Sequence, residues 1–510
     1  MPGATPLSTL VNLGDLVKRD ADPKAIALID CHDDANPRDY THGDIDAAAN
    51  AVARGLIARG GQRGDRMAIL AANRAAYLLA YLGTMRAGMV SVPVNFKLPR
   101  DTVEYVMRDA GVSMVFADAE RLPLCPADLP VVNFDSTGED GFDAFLDFGS
   151  FDVVRPASDE IAMFLYTSGS TGRPKGVPLT HAGQLWAIGA RARSGRNWEQ
   201  QRFMVAAPLF HMNGLASAKF ALAAHASFVL MPQFRAVPFI RALARHRCTF
   251  ITSVPTMMAL MAQETEALAL HDLSSVTRVS MGSAPLTQAL IDKVQSLFPG
   301  AVLSNGYGTT ETGPVGFGPH PDGILTPPLA LGYPMADIRL RLVDGGNRDA
   351  GEGVLEIWTP ALMPGYHRLP ERTAAAMTDD GYYITGDIMR RDANGFYEFV
   401  GRADDMFVCS GENIYPGEVE KMLERHPAIH QACVVPVPDE IRGQKPVAFV
   451  VPESGATLAA QDVKEFALAN APAYQHPRHV EFVAELPLAG TNKVDRHALI
   501  QRAASLAGQG

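Results

Sequence analysis

The chain has 510 residues, 47% hydrophobic and 20% charged, which excludes the disordered and fibrous classes and gives ample length for a buried core. Lys plus Arg is 45 against 56 Asp plus Glu, a formal charge of −11. That balance argues against nucleic acid or an anionic membrane as the main partner, while leaving room for a local basic pocket. Cys31, Cys125, Cys248, Cys409 and Cys433 are widely spaced and form no C-x-x-C pair, so neither a disulfide framework nor a cysteine zinc site is expected. The first residues lack the basic and apolar segments of a secretory signal. Apolar stretches are broken by Asn73, Arg74, Arg86 and Lys219 before reaching spanning length, and a cytoplasmic location is expected.

In chain order, the spacing of Ile45, Ala48, Ala49, Val52 and Leu56 predicts a helix over 44–59, followed by a strand over 67–70. A second helix is predicted over 75–86, then strands over 89–94 and 113–116 with a helix between them. This β-α alternation implies parallel strands covered by helices. Between 118 and 158 the pattern weakens into Pro, Asp and Gly, as expected of a surface connection. Apolar runs resume at 203–207, 227–231, 250–254 and 276–281. After about Ile338 short alternating strands over 338–342 and 354–358 predict a β-rich subdomain. An α+β pattern follows, with helices over 418–425, 459–469 and from 496, and strands over 432–436, 446–451 and 480–483. A domain boundary is expected near Arg402 to Asp404, dividing the chain into 1–402 and 403–510.

The segment Tyr166-Thr167-Ser168-Gly169-Ser170-Thr171-Gly172-Arg173-Pro174-Lys175-Gly176 follows an apolar strand and precedes a helical pattern near Leu185. Read as a strand-to-helix loop, its hydroxyls, glycines and lysine suit a phosphate cradle, because glycine admits backbone N–H groups while hydroxyls and Lys meet the oxygens. It is neither a Walker A loop nor a G-x-G-x-x-G turn. Composition alone leaves a flexible polar turn as the alternative.

This segment resembles the phosphate-binding loop of the AMP-forming adenylating enzymes, the superfamily of acyl-CoA synthetases, peptide-synthetase adenylation domains and firefly luciferase. Further matches follow in that superfamily's order: Pro208-Leu209-Phe210-His211, Gly282-Ser283-Ala284-Pro285-Leu286, Asn305-Gly306-Tyr307-Gly308-Thr309-Thr310-Glu311, Thr385-Gly386-Asp387, Gly401-Arg402-Ala403-Asp404-Asp405 and Lys493-Val494-Asp495-Arg496. The resemblance implies an α/β fold with a large N-terminal domain of two helix-covered mixed or parallel sheets plus a β-rich subdomain. It also implies a small mobile α+β C-terminal domain that turns about Asp404.

By the same resemblance, ATP or AMP is bound by Thr167, Ser168, Gly169, Ser170, Thr171, Gly172 and Lys175, and by Gly282, Ser283, Ala284 and Pro285. Asn305, Gly306, Tyr307, Gly308, Thr309, Thr310, Asp387, Arg402 and Lys493 complete that set. Asp387 and Arg402 fall on the ribose; an acceptor-only carboxylate suits two hydroxyls. Glu311 is implied as the Mg²⁺ ligand, in keeping with a cation held by one carboxylate plus substrate phosphates. Lys493, Thr167, Glu311 and His211 are implied in catalysis, with Lys493 meeting the charge that builds as a carboxylate attacks the α-phosphorus. Alone, each residue has a plainer reading: Glu311 and Asp387 as turn residues, Lys493 as a surface lysine, His211 as a core histidine.

By analogy with coumarate, feruloyl and fatty-acid CoA ligases, the acyl pocket falls on His211, Asn213, Gly214, Ser217, Gly282, Gly308, Pro314 and Val315, where small Gly282 and Gly308 are expected to leave room for a flat ring or extended chain. The run Phe210-His211-Met212-Asn213-Gly214 lacks the acid that holds an amino acid's ammonium, so an amino acid substrate is disfavoured. CoA contacts are implied at Ser410, Gly411, Glu412, Arg442, His476 and Arg478. Val408 stands where several relatives carry a lysine. The expected substrates and cofactors are therefore a carboxylic acid, ATP, Mg²⁺ and CoA, with an aryl or arylalkenoic acid preferred and a medium-chain fatty acid next. A carrier-protein acceptor and a catalytically silent nucleotide switch are the alternatives, and a monomer or homodimer is expected.

Overall fold

The computed structural model describes residues 10–17, 20–167, 173–193, 197–284, 286–409, 412–439, 442–488 and 494–507. Two large sheets dominate it. A six-stranded sheet takes the order Val131–Asn133, Val112–Ala117, Arg66–Leu70, Val90–Pro93, Ile161–Thr167, Lys175–Thr180, parallel except for its last pair. A seven-stranded sheet takes the order Val302–Gly306, Arg278–Gly282, Phe250–Ser253, Arg202–Val205, Ser227–Leu230, Ile26–Asp30, Arg38–Thr41, again parallel except for its last pair.

One core joins the facing sides of these sheets. Met67 and Ile69 from the first, and Phe203, Val205 and Phe228 from the second, pack with residues of helices His42–Ala58, Ala75–Arg86 and Met212–Ala223. A helix between two sheets needs apolar residues all round, and Ala75–Arg86 is buried at eleven of its twelve positions. Its terminal Arg86 is 0% exposed, with its charge met by Asp46 at 2.8 Å and its donors by Gly14 O and Asn50 Oδ1. Helix His42–Ala58 starts at a capping box, in which Thr41 Oγ1 accepts from Asp44 N–H and Asp44 accepts from Thr41 N–H. A second core covers the outer side of the seven-stranded sheet with helices Ala236–Arg245, Pro255–Gln263 and Gln288–Leu297. A third packs helix Arg100–Ala110 on the outer side of the six-stranded sheet. The result is a helix-sheet-helix-sheet-helix stack, with the parallel strands covered by helices that the alternation predicts and the two sheets that the resemblance implies.

Two expectations are corrected. The 118–158 region is more than a surface connection, since it supplies edge strand Val131–Asn133, and Phe134, Phe142 and Phe145 enter the central core. The segment after Thr167 does not run into a helix. Strand Ile161–Thr167 turns back into strand Lys175–Thr180, pairing Thr167 with Lys175, and the helix begins only at His181.

Beyond these layers lies an antiparallel sheet of Arg339–Val343, Glu352–Trp358, Tyr383–Arg391 and Tyr397–Arg402, beside the short pair Phe317–Gly318 and Tyr333–Pro334. A last sheet combines Phe407–Cys409, Glu412–Ile414, Ile429–Asp439, Gly443–Pro452 and His479–Phe482. It is packed by helices Pro416–Leu423, Ala460–Asn470 and Arg496–Ala507, and its two cores draw only on residues from Phe407 onward. Among the described residues, no helix is long and apolar enough to cross a membrane.

Candidate active site

Loops beyond the carboxyl ends of parallel strands are where open α/β sheets gather ligands. Gly282 and Gly306 end adjacent strands of the seven-stranded sheet and pair with each other, Thr167 ends its strand in the other sheet, and His211 follows the strand Arg202–Val205. Ser283 has φ +67°, a left-handed turn directly after the strand. Asn305 donates through Nδ2 to Leu329 O at 3.0 Å, tying the strand end to the loop before the antiparallel sheet.

That sheet supplies the second wall. Asp387 and Arg402 are cross-strand partners, and Arg402 Nη1 donates to Asp387 Oδ1 at 2.8 Å and to Thr385 O at 2.8 Å. Tyr307 Oη donates to the other oxygen, Asp387 Oδ2, at 2.5 Å. Burial, followed by the Asp387 charge, pushes the Tyr307 phenol well above its ordinary pKa, so it stays a donor. The Thr385 hydroxyl is spent on Leu355 O and on the N–H of Asp387. Asp404 accepts from Arg402 Nη2 at 3.0 Å, so the expected hinge residue touches the same guanidinium.

Glu311 is 7% exposed, and Tyr366 Oη donates to its Oε1 at 2.9 Å. Met363 N–H donates to Glu311 O at 2.7 Å. Lys175 Nζ lies 4.1 Å from the centre of the Tyr366 ring. Burial lowers the Lys175 pKa, Glu311 partly restores it, and Arg372 and Arg402 lower it further. Thr309 and Thr312 hydroxyls lie 2.9 Å apart, and Thr167 Oγ1 is buried without a hydrogen-bond partner among the described residues.

A divalent cation fits this arrangement on one condition. Among the described residues no group of three or more His, Cys, Asp or Glu is disposed to hold an ion, so Glu311 would hold it together with phosphate oxygens rather than in a protein cage.

Of the expected acyl-pocket residues, His211, Asn213, Gly214 and Ser217 lie at the start of helix Met212–Ala223, while Gly282, Gly308, Pro314 and Val315 lie at a strand end and in the loop after strand Val302–Gly306, and one expectation is corrected. Cβ atoms at Gly282 and Gly308 would lie 2.6 Å from Gly306 O and 2.8 Å from Pro314, and one at Gly214 would lie 2.5 Å from Ala207 O. The space beside these glycines is filled by backbone, so they permit close packing rather than leaving open volume. Ser217 returns its hydroxyl to Asn213 O at 3.0 Å, and Val315 packs on Ala187, Ala190 and Ala361. His211 precedes the helix, its ring edge-on to Phe210 at 4.6 Å, while Asn213 and Pro314 are half-buried.

The described residues among the expected CoA contacts lie on the last sheet or its connections. Glu412 pairs with Cys409, Cys409 with Gly443 next to Arg442, and Arg478 N–H donates to Pro446 O at 2.8 Å. Arg442 lies 3.6 Å from Asp439, and His476 Nδ1 and Arg478 Nε are buried without partners among the described residues. Ser168, Gly169, Ser170, Thr171, Gly172, Pro285, Ser410, Gly411 and Lys493 lie outside the described residues. Sequence reasoning missed Tyr366, Tyr383 and Arg372. Only the nearness of Tyr366 to the run Met363-Pro364-Gly365, a loop signal, marks that segment in the sequence.

Residues 17–367 match the family described as AMP-binding enzyme, and residues 418–493 match the AMP-binding enzyme C-terminal domain. A 4-coumarate–CoA ligase of Solanum tuberosum is 31% identical over 503 residues, covering 93% of this chain and 90% of that one. A feruloyl-CoA synthase of an Amycolatopsis species is 30% identical over 479 residues, covering 89% and 92%. The crystal structure of an anthranilate CoA ligase in complex with anthranoyl-AMP superposes with a TM-score of 0.89 at 26% identity, covering 99% of this chain and 100% of that one. The chain belongs to the AMP-binding enzyme family and is an AMP-forming acid–thiol ligase that uses ATP and CoA.

Proposed function

We propose that the acid is an aryl or arylalkenoic acid of the hydroxycinnamate kind, with medium-chain fatty acids next. Two relatives named for coumarate and ferulate, and a structural neighbour named for anthranilate, support an aromatic acid. The absence of an acidic residue over Phe210–Gly214 speaks against an amino acid. The observation that carries the reading of the nucleotide site is Asp387 held between Tyr307, from the loop after the seven-stranded sheet, and Arg402, its partner on the antiparallel sheet.

In this reading Asp387 takes the ribose hydroxyls. Lys175, with the hydroxyls from Thr167 onward, takes phosphate oxygens, and Asn305 to Thr310 with Gly282 to Pro285 flank the nucleoside. Mg²⁺, held by Glu311 and the phosphates, supplies charge neutralisation when bound. The acid's carboxylate, admitted beside His211, attacks the α-phosphorus while Lys493 meets the developing charge and pyrophosphate leaves. Residues 403–510 then turn about Asp404, and Glu412, Arg442, His476 and Arg478 bring CoA, whose thiol displaces AMP. Exclusion of water protects the mixed anhydride in both steps. The enzyme acts in the cytoplasm.

The test is AMP release across aryl, arylalkenoic and fatty acids, each with and without CoA. Turnover confined to aromatic acids with CoA supports the proposal. A preference for aliphatic acids overturns the substrate class, and acyl-adenylate that accumulates without using CoA redirects it to a carrier protein.

A further inference from the structure

Tyr366 holds no role in the scheme above, yet it is the residue through which the two opposite charges of the phosphate region are connected. It lies in the segment between strand Glu352–Trp358 and helix Pro370–Ala376 and is 6% exposed. Its hydroxyl donates to Glu311 Oε1 at 2.9 Å and stands 3.3 Å from the Tyr383 hydroxyl. Its ring face receives Lys175 Nζ at 4.1 Å. Among the described residues, Lys175 and Glu311 make no direct ion pair, and Glu311 accepts no second side-chain hydrogen bond.

The segment carrying Tyr366 is itself fixed from several sides. Tyr366 N–H donates to Thr373 Oγ1 at 2.9 Å. The next residue, His367, donates its N–H to Gly176 O at 2.9 Å, one residue past Lys175, and its Nε2 lies 3.0 Å from Asp109 O. Asp109 in turn accepts from the hydroxyl of Tyr166, the first residue of the phosphate-loop motif, at 2.7 Å. On the other side Met363 N–H donates to Glu311 O, and Thr359 Oγ1 donates to Thr312 O at 2.6 Å. One strap thus grips the backbone on both sides of the cleft, with Tyr366 pointing between them.

A carboxylate that accepts one hydrogen bond on one oxygen loses rotational freedom and keeps its other oxygen available. A desolvated ammonium over a ring face is held without a counter-charge that would compete with phosphate. We propose that Tyr366 is a positioning residue: its hydroxyl orients Glu311 toward the cation that accompanies ATP, and its ring seats Lys175 on the phosphate side. This rests on the reading of Glu311 as the cation's carboxylate.

The test uses the full-length enzyme and a non-hydrolysable α,β-methylene analogue of ATP, binding being measured by calorimetry with and without Mn²⁺. Supporting contacts around a metal ligand typically govern affinity by about 10- to 100-fold. Y366F should therefore bind the Mn²⁺ complex about tenfold or more weakly and need correspondingly more Mg²⁺ for half-maximal pyrophosphate release, while binding the metal-free analogue as the native enzyme does. Y366L, lacking the ring, should also lose affinity for the metal-free analogue. Y383F keeps the Tyr366–Glu311 bond and should retain native metal dependence. Native metal binding by Y366F while E311Q is weakened overturns the proposal and leaves the Glu311 reading intact; native binding by E311Q overturns both. An equal shift in Y383F and Y366F overturns the positioning role in favour of general packing.

Discussion

Tyr307 and Asp387, 80 residues apart in sequence, meet in a 2.5 Å hydrogen bond that joins the loop after strand Val302–Gly306 of the seven-stranded sheet to the antiparallel sheet. The partnership leaves Asp387 anchored on both oxygens, by Tyr307 and by Arg402, before any substrate arrives. Preorganisation of that kind is what a recognition carboxylate needs, because its orientation is fixed before the ligand binds.

The ribose reading predicts that Asp387→Asn weakens the enzyme through ATP rather than through the acid. Two hydrogen bonds to a charged acceptor contribute on the order of 3 kcal/mol together, so kcat/KM for ATP should fall roughly 100-fold. Steady-state kinetics with ATP and acid varied separately checks this. Equal losses for both substrates, or none, would contradict it.

Gly282 and Gly306 are paired neighbours with opposite tolerances. A Cβ at Gly282 meets Gly306 O at 2.6 Å, whereas the nearest atom to a Cβ at Gly306 is 3.5 Å away. Gly282→Ala should therefore destabilise the fold by about 1–3 kcal/mol, the usual range for overpacking, while Gly306→Ala should leave the thermal midpoint nearly unchanged. Differential scanning calorimetry of the two variants separates them.

Two buried histidines set an acid limit. Burial drives the pKa of His42 and of His181 down to about 4, and His181 Nδ1 accepts from Leu13 N–H at 2.9 Å, which requires it neutral. Between pH 6.5 and 4 the unfolded chain binds the protons these imidazoles refuse in the fold, so stability falls as pH falls through that window. A thermal midpoint measured across it should drop on acidification, and the drop should be shallower in His42→Phe. An unchanged slope would show that carboxylates dominate instead.

Lys219 is 1% exposed, and its ammonium donates to Gln184 Oε1 at 2.8 Å. Burial lowers its pKa to about 7. The unfolded state holds that proton to higher pH, so this residue's contribution to stability should rise between pH 7 and 9, by roughly 2–3 kcal/mol, partly offset below pH 8 by Glu424, whose carboxyl is pushed by burial up to about 8. The window stops at 9 because buried thiols with raised pKa values, such as Cys31 and Cys248, reverse the sign above it. Lys219→Met should abolish the rise, as read from urea midpoints at pH 7 and pH 9.

The sequence carries the fold where apolar residues run together into buried elements. Helix Ala75–Arg86 occupies the residues predicted, and the four apolar runs from 203 to 281 supply four of the parallel strands of the larger sheet, whereas Ile26–Asp30 and Val302–Gly306 lie outside those runs. It misleads at Lys175–Thr180, whose Pro178 disguises a strand. Proline is tolerated in sheets at edges, and this strand is the sheet's edge, so the glycine-rich motif falls between two strands rather than before a helix. Asp387, Arg402 and Glu311 were legible because they sit in motifs. Tyr366 was not, because a loop of Pro, Gly and His carries no periodicity, and its hydrogen-bond partner Glu311 lies 55 residues away in sequence. The glycines were legible as necessary but not for the right reason, since a sequence cannot say whether missing side-chain volume is empty or filled by neighbouring backbone.

In the proposed mechanism the acid is activated as an adenylate before it meets the thiol. The most direct measurement is a turnover with carboxyl-¹⁸O-labelled acid, ATP, Mg²⁺ and CoA, followed by mass spectrometry of the products. Attack of the carboxylate on the α-phosphorus and later displacement by the thiol leave one labelled oxygen in AMP, with unlabelled pyrophosphate beside the thioester. Label in inorganic phosphate with formation of ADP would mean an acyl phosphate, and would contradict the account.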